Sequence, residues 1–467
     1  MPESADDKKA RLFRRFVEQA SSWADRLMLA RMRHHGYWPA DVEPPPDPPE
    51  EAGERRAVEA ELRDLRREGG DKMKALEVER KRRWRESKER RAKRKAERAE
   101  QAKRRREAWE QARREDAPYL GHGVSGGLGD VASDVAKLDA VGLPVCHDAA
   151  DLAAMLDVSL SRLRWLTYHR GNAAVVHYHR YDLPKPGGGA RCISAPKAEL
   201  KAAQNQVLDE ILSRIPVNDA AHGFVAGRDI FSNAGAHAGR PVVVNLDLRD
   251  FFGTITFPRV RGVFKSLGYS GRAATVLALL CTEPPRAQAT FGDGRVVFAA
   301  IGERRLPQGA PTSPAITNLL CRRLDRRIAG HAASLGFAYT RYADDLSFST
   351  AAHGNVGRLL GGVRRILGGE SLVEQPRKTR VMRPGARQEV TGLVVNAGGP
   401  PRLPREERRR LRAILHNAAR DGLASQNRGG HPDFAGHLAG RVAHACRCDP
   451  ASAAAWQRQL AEALADA

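Results

Sequence analysis

Residues 242–247 read Val-Val-Val-Asn-Leu-Asp, and this run constrains the fold more than any other in the 467-residue chain. Three successive β-branched side chains favour extended backbone, and Val242–Leu246 is too apolar to leave either face in water. It predicts a strand buried inside a sheet, with Asp247 standing at its exit. Further extended segments surround it. "HYHRYDLPKPGGGARCISAP" (177–196) predicts a hairpin turning at "KPGGG", and "RQEVTGLVVN" (387–396) another strand. "YTRYADDLSFS" (339–349) predicts a strand–turn–strand with Asp344 and Asp345 at its tip. Helices are expected at 198–214, 258–282 and 313–335, and again through the Arg-rich stretch 404–467. This order is α+β, not the regular alternation of a doubly wound sheet.

The region before residue 131 differs in kind. Phe13, Phe16, Ala20, Trp23 and Leu27 recur at steps of three and four, one apolar stripe on a first helix. "EPPPDPPE" (43–50) cannot continue it, because proline lacks the N–H and clashes with the preceding turn. "KRRWRESKERRAKRKAERAEQAKRRREAWEQARRE" (81–115) has no Gly or Pro and predicts a long, solvated helix laced with i,i+4 charge pairs. It is either a charged spacer or an arm that grips phosphates, with Trp84 and Trp109 open to packing or base stacking. "GHGVSGGLGD" (121–130) reads as a flexible hinge, and 149–169 as two short helices turning near Asp157.

Lys and Arg number 78 against 56 Asp and Glu, a net charge of +22, which attracts polyanions, nucleic acid above all. Six scattered cysteines argue for a reducing compartment rather than a disulfide framework. His444, Cys446 and Cys448 have no second ligand pair and are read as coincidence. The polar start "MPESADDKKA" is no signal peptide, and no apolar run approaches the roughly 20 residues that cross a bilayer. A soluble, cytoplasmic protein is expected, with no membrane partner.

If the 242–247 strand and the 339–349 hairpin share a sheet, Asp247, Asp344 and Asp345 converge at its edge. Crowded like charges raise one another's pKa, and a hard divalent cation such as Mg²⁺ relieves the conflict with carboxylate and phosphate oxygens. Two such ions roughly 4 Å apart support an in-line phosphoryl displacement. For "YADD" alone, ordinary turn aspartates are an equal reading.

The surrounding motifs are more specific. "YADD", preceded by "LPQGAPTSPAITN" (306–318) and "NLDLRDFF" (245–252), resembles the palm motifs of a reverse transcriptase, and "PKPGGGARCISAPKAELKAAQ" (184–204) is similar to that family's fingers hairpin. "NAGAH" (233–237) and "VTG" (390–392) resemble marks of the bacterial retron branch. "AHGFVAGRDI" and "KTRVMRPGARQEVTGLVVN" look closest to its myxobacterial members, which also carry a charged N-terminal extension. Two departures stand out: Asp229, where the branch more often has Ser, and "EQPRKTR", which lacks the Asn often found before the Lys.

The resemblance implies a right-hand polymerase of fingers, palm with an antiparallel sheet, and helical thumb. Its expected divisions are 1–130 for the basic extension and linker, 131–240 for N-terminal helices and fingers, 241–396 for the palm with part of the fingers inserted, and 397–467 for the thumb. It implies that Asp247, Asp344 and Asp345 bind two Mg²⁺ ions. It implies Phe252 as the aromatic gate against a ribose 2′-OH, although Phe251 and Phe252 both suit core filling. Gln308 and Gly309 would shape the approach of template and incoming base, and Arg191 with Lys185 would meet the triphosphate, unless these are solvated hairpin charges. Lys378 is implied as the acid for pyrophosphate or as a phosphate contact. Asn233, His237, Thr391 and Gly392 are implied to engage RNA, with a cap and a surface histidine as the plain alternative.

The expected activity is RNA-directed DNA synthesis from dNTPs on a cognate structured non-coding RNA. It would prime from an internal guanosine 2′-OH, pass through an RNA–DNA hybrid and leave a branched product, in antiviral defence with a separately encoded effector. The rivals are another bacterial reverse transcriptase, such as an intron maturase or abortive-infection polymerase, and a non-catalytic RNA-binding scaffold.

Overall fold

A computed structural model describes residues 23–42, 52–54, 56–57, 60, 71–184, 188–351, 354–396 and 399–465. Phe13, Phe16 and Ala20 of the first apolar stripe, the proline run 43–50 and Lys185 lie outside them. The chain divides into two compact units, Met1–Ala108 and Trp109–Ala467.

The first unit contains the helix Trp23–His34 and most of the helix Asp71–Glu115. Nothing apolar repeats along the latter, so local charge pairing is what supports it. Arg83 meets Glu79 at 3.1 Å and Arg104 meets Glu100 at 3.1 Å, both one turn apart. Trp84 stands exposed on it, with the Lys88 ammonium 5.1 Å from its ring.

The second unit is built on eleven strands among the described residues. β1 (Asn172–Ala173), β2 (Tyr178–Pro184) and β3 (Ala190–Pro196) precede β4 (Val242–Asp247). β5 (Arg286–Thr290) and β6 (Val296–Ala300) form a hairpin joined by β1. β7 (Ala338–Tyr342), β8 (Asp345–Thr350) and β9 (Arg380–Met382) complete the central sheet, in the order β7-β8-β4-β9. β10 (Glu389–Val390) and β11 (Leu393–Val394) make a small hairpin.

β4 is buried along nearly its whole length, as its composition demands. Val242, Val244 and Leu246 face one core with Leu324 and Ile328 of the helix Arg322–Ser334 and Leu359 and Val363 of the helix Val356–Gly369. Val243 points the other way, onto Ala234, Val390 and Leu393. Each such side chain, fully buried, contributes about 1.5–3 kcal/mol. β2 and β3 pair over their full length as the expected fingers hairpin. The helices Ala198–Glu210, Phe257–Leu267, Gly271–Cys281 and Thr312–Leu320 share the largest core. The C-terminal helices Arg405–Asp421, Phe434–Cys448 and Pro450–Ala465 pack around Leu411, Leu415, Leu438 and Trp456 in a core of their own.

Three expectations need correction. The single helix at 258–282 is two, because Gly268 ends the first at a left-handed φ of +117° and the Ser270 hydroxyl caps the second at Ala273. Likewise 313–335 breaks at Cys321. The segment 121–130 is no free hinge: Leu120, Val124 and Leu128 are buried in the main core, and the backbone of Gly121 lies so close to His169 that a Cβ would sit 2.3 Å from its carbonyl oxygen.

Candidate active site

The pairing of β4 with β8 sets Asp247 directly opposite Asp345. Three backbone bonds then lock the neighbouring segments: Leu248 N–H donates to the Asp344 carbonyl at 3.0 Å, Gln375 N–H to Asp247 at 2.7 Å, and Arg249 N–H to Val373 at 2.8 Å. Residues a hundred positions apart are thus fixed at one end of the sheet.

The Asp247 carboxylate is buried, and its Oδ2 accepts from the Lys378 ammonium at 2.6 Å. Asp247 and Asp344 line a cleft of about 820 Å³ together with Arg191, Phe252, Gln308 and Lys378. Asp345, first residue of β8, is an exposed residue beside that wall. Even so, enough protein surrounds its carboxyl that lost hydration, followed by the charges of Asp344 and Asp247, pushes it up to about 7 against the pull of Lys378. Asp344 is also raised. Burial and the Asp247 charge outweigh its own backbone N–H, Lys378 and Arg191, which favour the ionised form.

The expectation of three carboxylates converging on one point is met in part. Two line the cleft and the third flanks them, and among the described residues no three His, Cys, Asp or Glu side chains gather as a finished metal site. The donors are nonetheless hard oxygens in mutual repulsion, already drawing a cation to Asp247. That set suits a divalent ion that keeps open positions for substrate oxygens.

Sequence reasoning passed over the group that holds this turn. Arg341 is fully buried and makes a two-point pair with Asp325, at 2.8 Å from both Nε and Nη2. Its Nη2 also donates to Asn318 at 3.0 Å and its Nη1 to the Ala343 carbonyl at 3.1 Å, one residue before Asp344. Tyr339 adds its hydroxyl to Asp325 at 2.9 Å. Ala343 itself takes a left-handed φ of +56°. Gly223 presses against this turn so closely that a Cβ would lie 2.6 Å from the Ala343 nitrogen. The signal was present: an arginine within a strand of the central sheet needs a buried partner.

The remaining candidates fall into two places. Both Phe251 and Phe252 border the cleft, Phe251 buried in the core and Phe252 half-buried. Gly309 takes φ +120°, and what its missing side chain admits here is β3: a Cβ would lie 3.0 Å from Ile193 and from the Ser194 carbonyl. Ser194 N–H in turn donates to the Gln308 carbonyl at 2.8 Å, tying fingers hairpin to cleft.

Asn233 and His237 are wholly buried, which corrects their reading as RNA-contacting or surface side chains. The His237 ring bridges the Ser349 and Thr340 hydroxyls at 2.8 Å each. Asn233 reaches Thr391 Oγ1 at 3.5 Å. Thr391 and Gly392, at φ +46° and +80°, form the two-residue turn between β10 and β11. Thr391 is half-buried and Gly392 exposed.

Residues 183–406 match the family described as reverse transcriptase (RNA-dependent DNA polymerase). The retron Mx162 reverse transcriptase of Myxococcus xanthus is 44% identical over 351 residues, 71% of this chain and 70% of its own. The chain belongs to the retron reverse transcriptases. The enzyme is also 43% identical to the retron Mx65 reverse transcriptase of Myxococcus xanthus, over 70% of this chain and 74% of the other. With the retron Ec86 reverse transcriptase of Escherichia coli it shares 35% over 60% and 81%. The two myxobacterial relatives are thus more alike to it than the Escherichia coli one. A solved Candida albicans telomerase, 10% identical, matches 61% of this chain and 54% of its own at a TM-score of 0.36, too loosely to carry weight.

Among the described residues, no helix is long and apolar enough to cross a membrane.

Proposed function

We propose that this enzyme copies a cognate structured non-coding RNA into DNA. Priming would start from an internal guanosine 2′-OH, leaving cDNA branched from RNA, and dNTPs would be the substrates. The reading rests on one observation: Asp247 and Asp345 face each other across β4 and β8, and Asp247 and Asp344 line a cleft that residues of the β2–β3 hairpin also wall, with Asp345 at its edge.

Asp247, Asp344 and Asp345 would hold Mg²⁺, two ions in the working complex. Bound there, magnesium supplies neutralisation of the phosphates and activation of the attacking hydroxyl. The chain's own groups do the rest. Arg191, whose charge already reaches Asp344, is poised to fork onto the incoming triphosphate, with Lys185 before the same glycine turn. The Phe252 ring fills the space that a ribose 2′-OH would need. Lys378, 2.6 Å from Asp247, is near enough to the reacting centre to give a proton to departing pyrophosphate. Gln308 and Gly309 keep the fingers strand close to the cleft wall. Asn233 and His237 act from inside, bracing the Thr391–Gly392 turn and the palm sheet, and the turn meets the RNA. We assign residues 131–240, 241–396 and 397–467 to fingers, palm and thumb, and 1–130 to the basic extension. We assign the enzyme to the cytoplasm, in antiviral defence alongside a separately encoded effector.

Replacing Asp344 and Asp345 together by Asn tests the assignment. dNTP incorporation on the annealed RNA should vanish while RNA affinity stays within about twofold, since carboxylates repel phosphate. A fully active double variant would refute the site.

A further inference from the structure

Upstream of the matched family region lies a second cavity, of about 480 Å³, that the polymerase chemistry does not use. Its walls include Trp109, Tyr119, Trp165, Tyr168, Arg164 and Arg170. Trp109, Tyr119 and Tyr168 are 48%, 43% and 37% exposed, a concentration of ring surface that would ordinarily be buried. A cation of the wall sits by one ring, Arg170 at 5.0 Å from Tyr168, while Arg162, outside the cavity and paired with Glu199, covers Trp165 at 4.0 Å. Tyr119 and Tyr168 meet edge-on at 6.2 Å and 65°. Flat rings with guanidinium groups at their faces suit unpaired bases, whose π-faces stack while the arginines answer the phosphates. A duplex offers no free base face.

The position of the cavity supports the same occupant. Tyr168 and Arg170 also border a narrow seam whose far side is Glu283 and Arg286, and those two residues line the catalytic cleft. The wall between is continuous. Arg286 donates to the Arg170 carbonyl at 2.9 Å and to Glu283 at 3.1 Å, and Glu283 takes Arg180 of β2 at 2.8 Å. The seam therefore joins the aromatic cavity to the cleft along the side of β2.

We propose that this cavity is a stacking subsite for one or two unpaired RNA nucleotides of the template outside the cleft, an inference that rests on the polymerase reading above. The test is fluorescence anisotropy of the full-length protein with a labelled oligouridylate of about 12 nucleotides. Tyr119→Ala with Tyr168→Ala should weaken binding about tenfold or more, and Tyr119→Phe with Tyr168→Phe should restore it to within about twofold. The salt dependence should keep its slope, because no group that meets a phosphate is removed. Trp109→Ala, an exposed position, gives an independent reading of the same wall if the double alanine variant fails to fold. In the wild type, a photoreactive 4-thiouridine oligonucleotide should crosslink to peptides carrying Tyr119, Tyr168 or Trp109.

Unchanged affinity in the alanine variants overturns the proposal. So does a blunt RNA duplex that competes as well as the single strand, or crosslinks confined to the catalytic cleft. Extension of an annealed primer by the wild-type enzyme is scored separately. Its failure would sink the polymerase reading, whereas normal extension with the outcomes just named would sink only the subsite.

Discussion

At the scale of single residues, burial decides what each candidate does. Phe251 and Phe252 are adjacent in sequence, 5.7 Å apart as rings and both at the cleft, yet Phe251 is buried in the core and Phe252 keeps exposed surface. Phe252→Ala should therefore admit ribonucleotides, lowering the preference for dNTP over rNTP by roughly 10- to 100-fold in single-nucleotide incorporation assays. Unchanged discrimination would move the gate elsewhere. His237 illustrates the opposite case. Loss of hydration on burial, helped by the nearby charges of His222 and Arg240, lowers its pKa to about 4, so the ring is neutral where it bridges two hydroxyls. The unfolded chain, titrating near the ordinary value of about 6.5, takes up a proton first as pH falls. Stability from this residue is complete above about pH 6.5 and is lost progressively down to about pH 4. The urea midpoint of the wild type should fall between pH 7.5 and 5.5, and a His237→Asn variant should lose part of that dependence.

At the scale of elements, the turn that carries Asp344 and Asp345 is held from behind. Arg341 joins Asp325, Asn318 and the Ala343 carbonyl, so its loss strands a buried carboxylate. Arg341→Ala should cost about 3–5 kcal/mol in equilibrium unfolding. Gly223→Ala is subtler: its new methyl would meet backbone, not a yielding side chain, and should displace the Asp344–Asp345 turn. Primer extension should drop steeply while binding of the RNA persists. Ala343→Gly, at a positive φ, should be tolerated. The strands that carry the acids were legible because buried β-branched runs and Asp-bearing turns are local signals. Arg341's partners were not, since Asp325 and Asn318 come from helices whose approach is a tertiary event. The β5–β6 hairpin was also overlooked, although Gly292, Asp293 and Gly294 between its strands carry the turn chemistry that marks one. The Asn233–His237 pair was misread for a related reason: sequence spacing gives a face, but not whether that face is covered.

At the scale of the molecule, charge and core are separated along the chain. The helix Asp71–Glu115 is solvated along its described side chains, and the polymerase body begins only where Ala117 and Leu120 enter the main core. Deleting residues 1–100 should thus spare the fold and weaken RNA binding. The plot of log affinity against log salt should become shallower, by about 0.7–0.9 for each phosphate that the arm neutralises. An identical slope would make the arm a spacer. In the cleft, the ammonium of Lys378 already sits on Asp247 as a built-in counter-ion, so the most deeply buried acid there has a cationic partner without any metal ion. A chelator should silence DNA synthesis and leave the thermal midpoint where it was, whereas Lys378→Ala should make that midpoint climb with added magnesium. The fold should therefore form as readily in a metal-poor setting as in a metal-rich one.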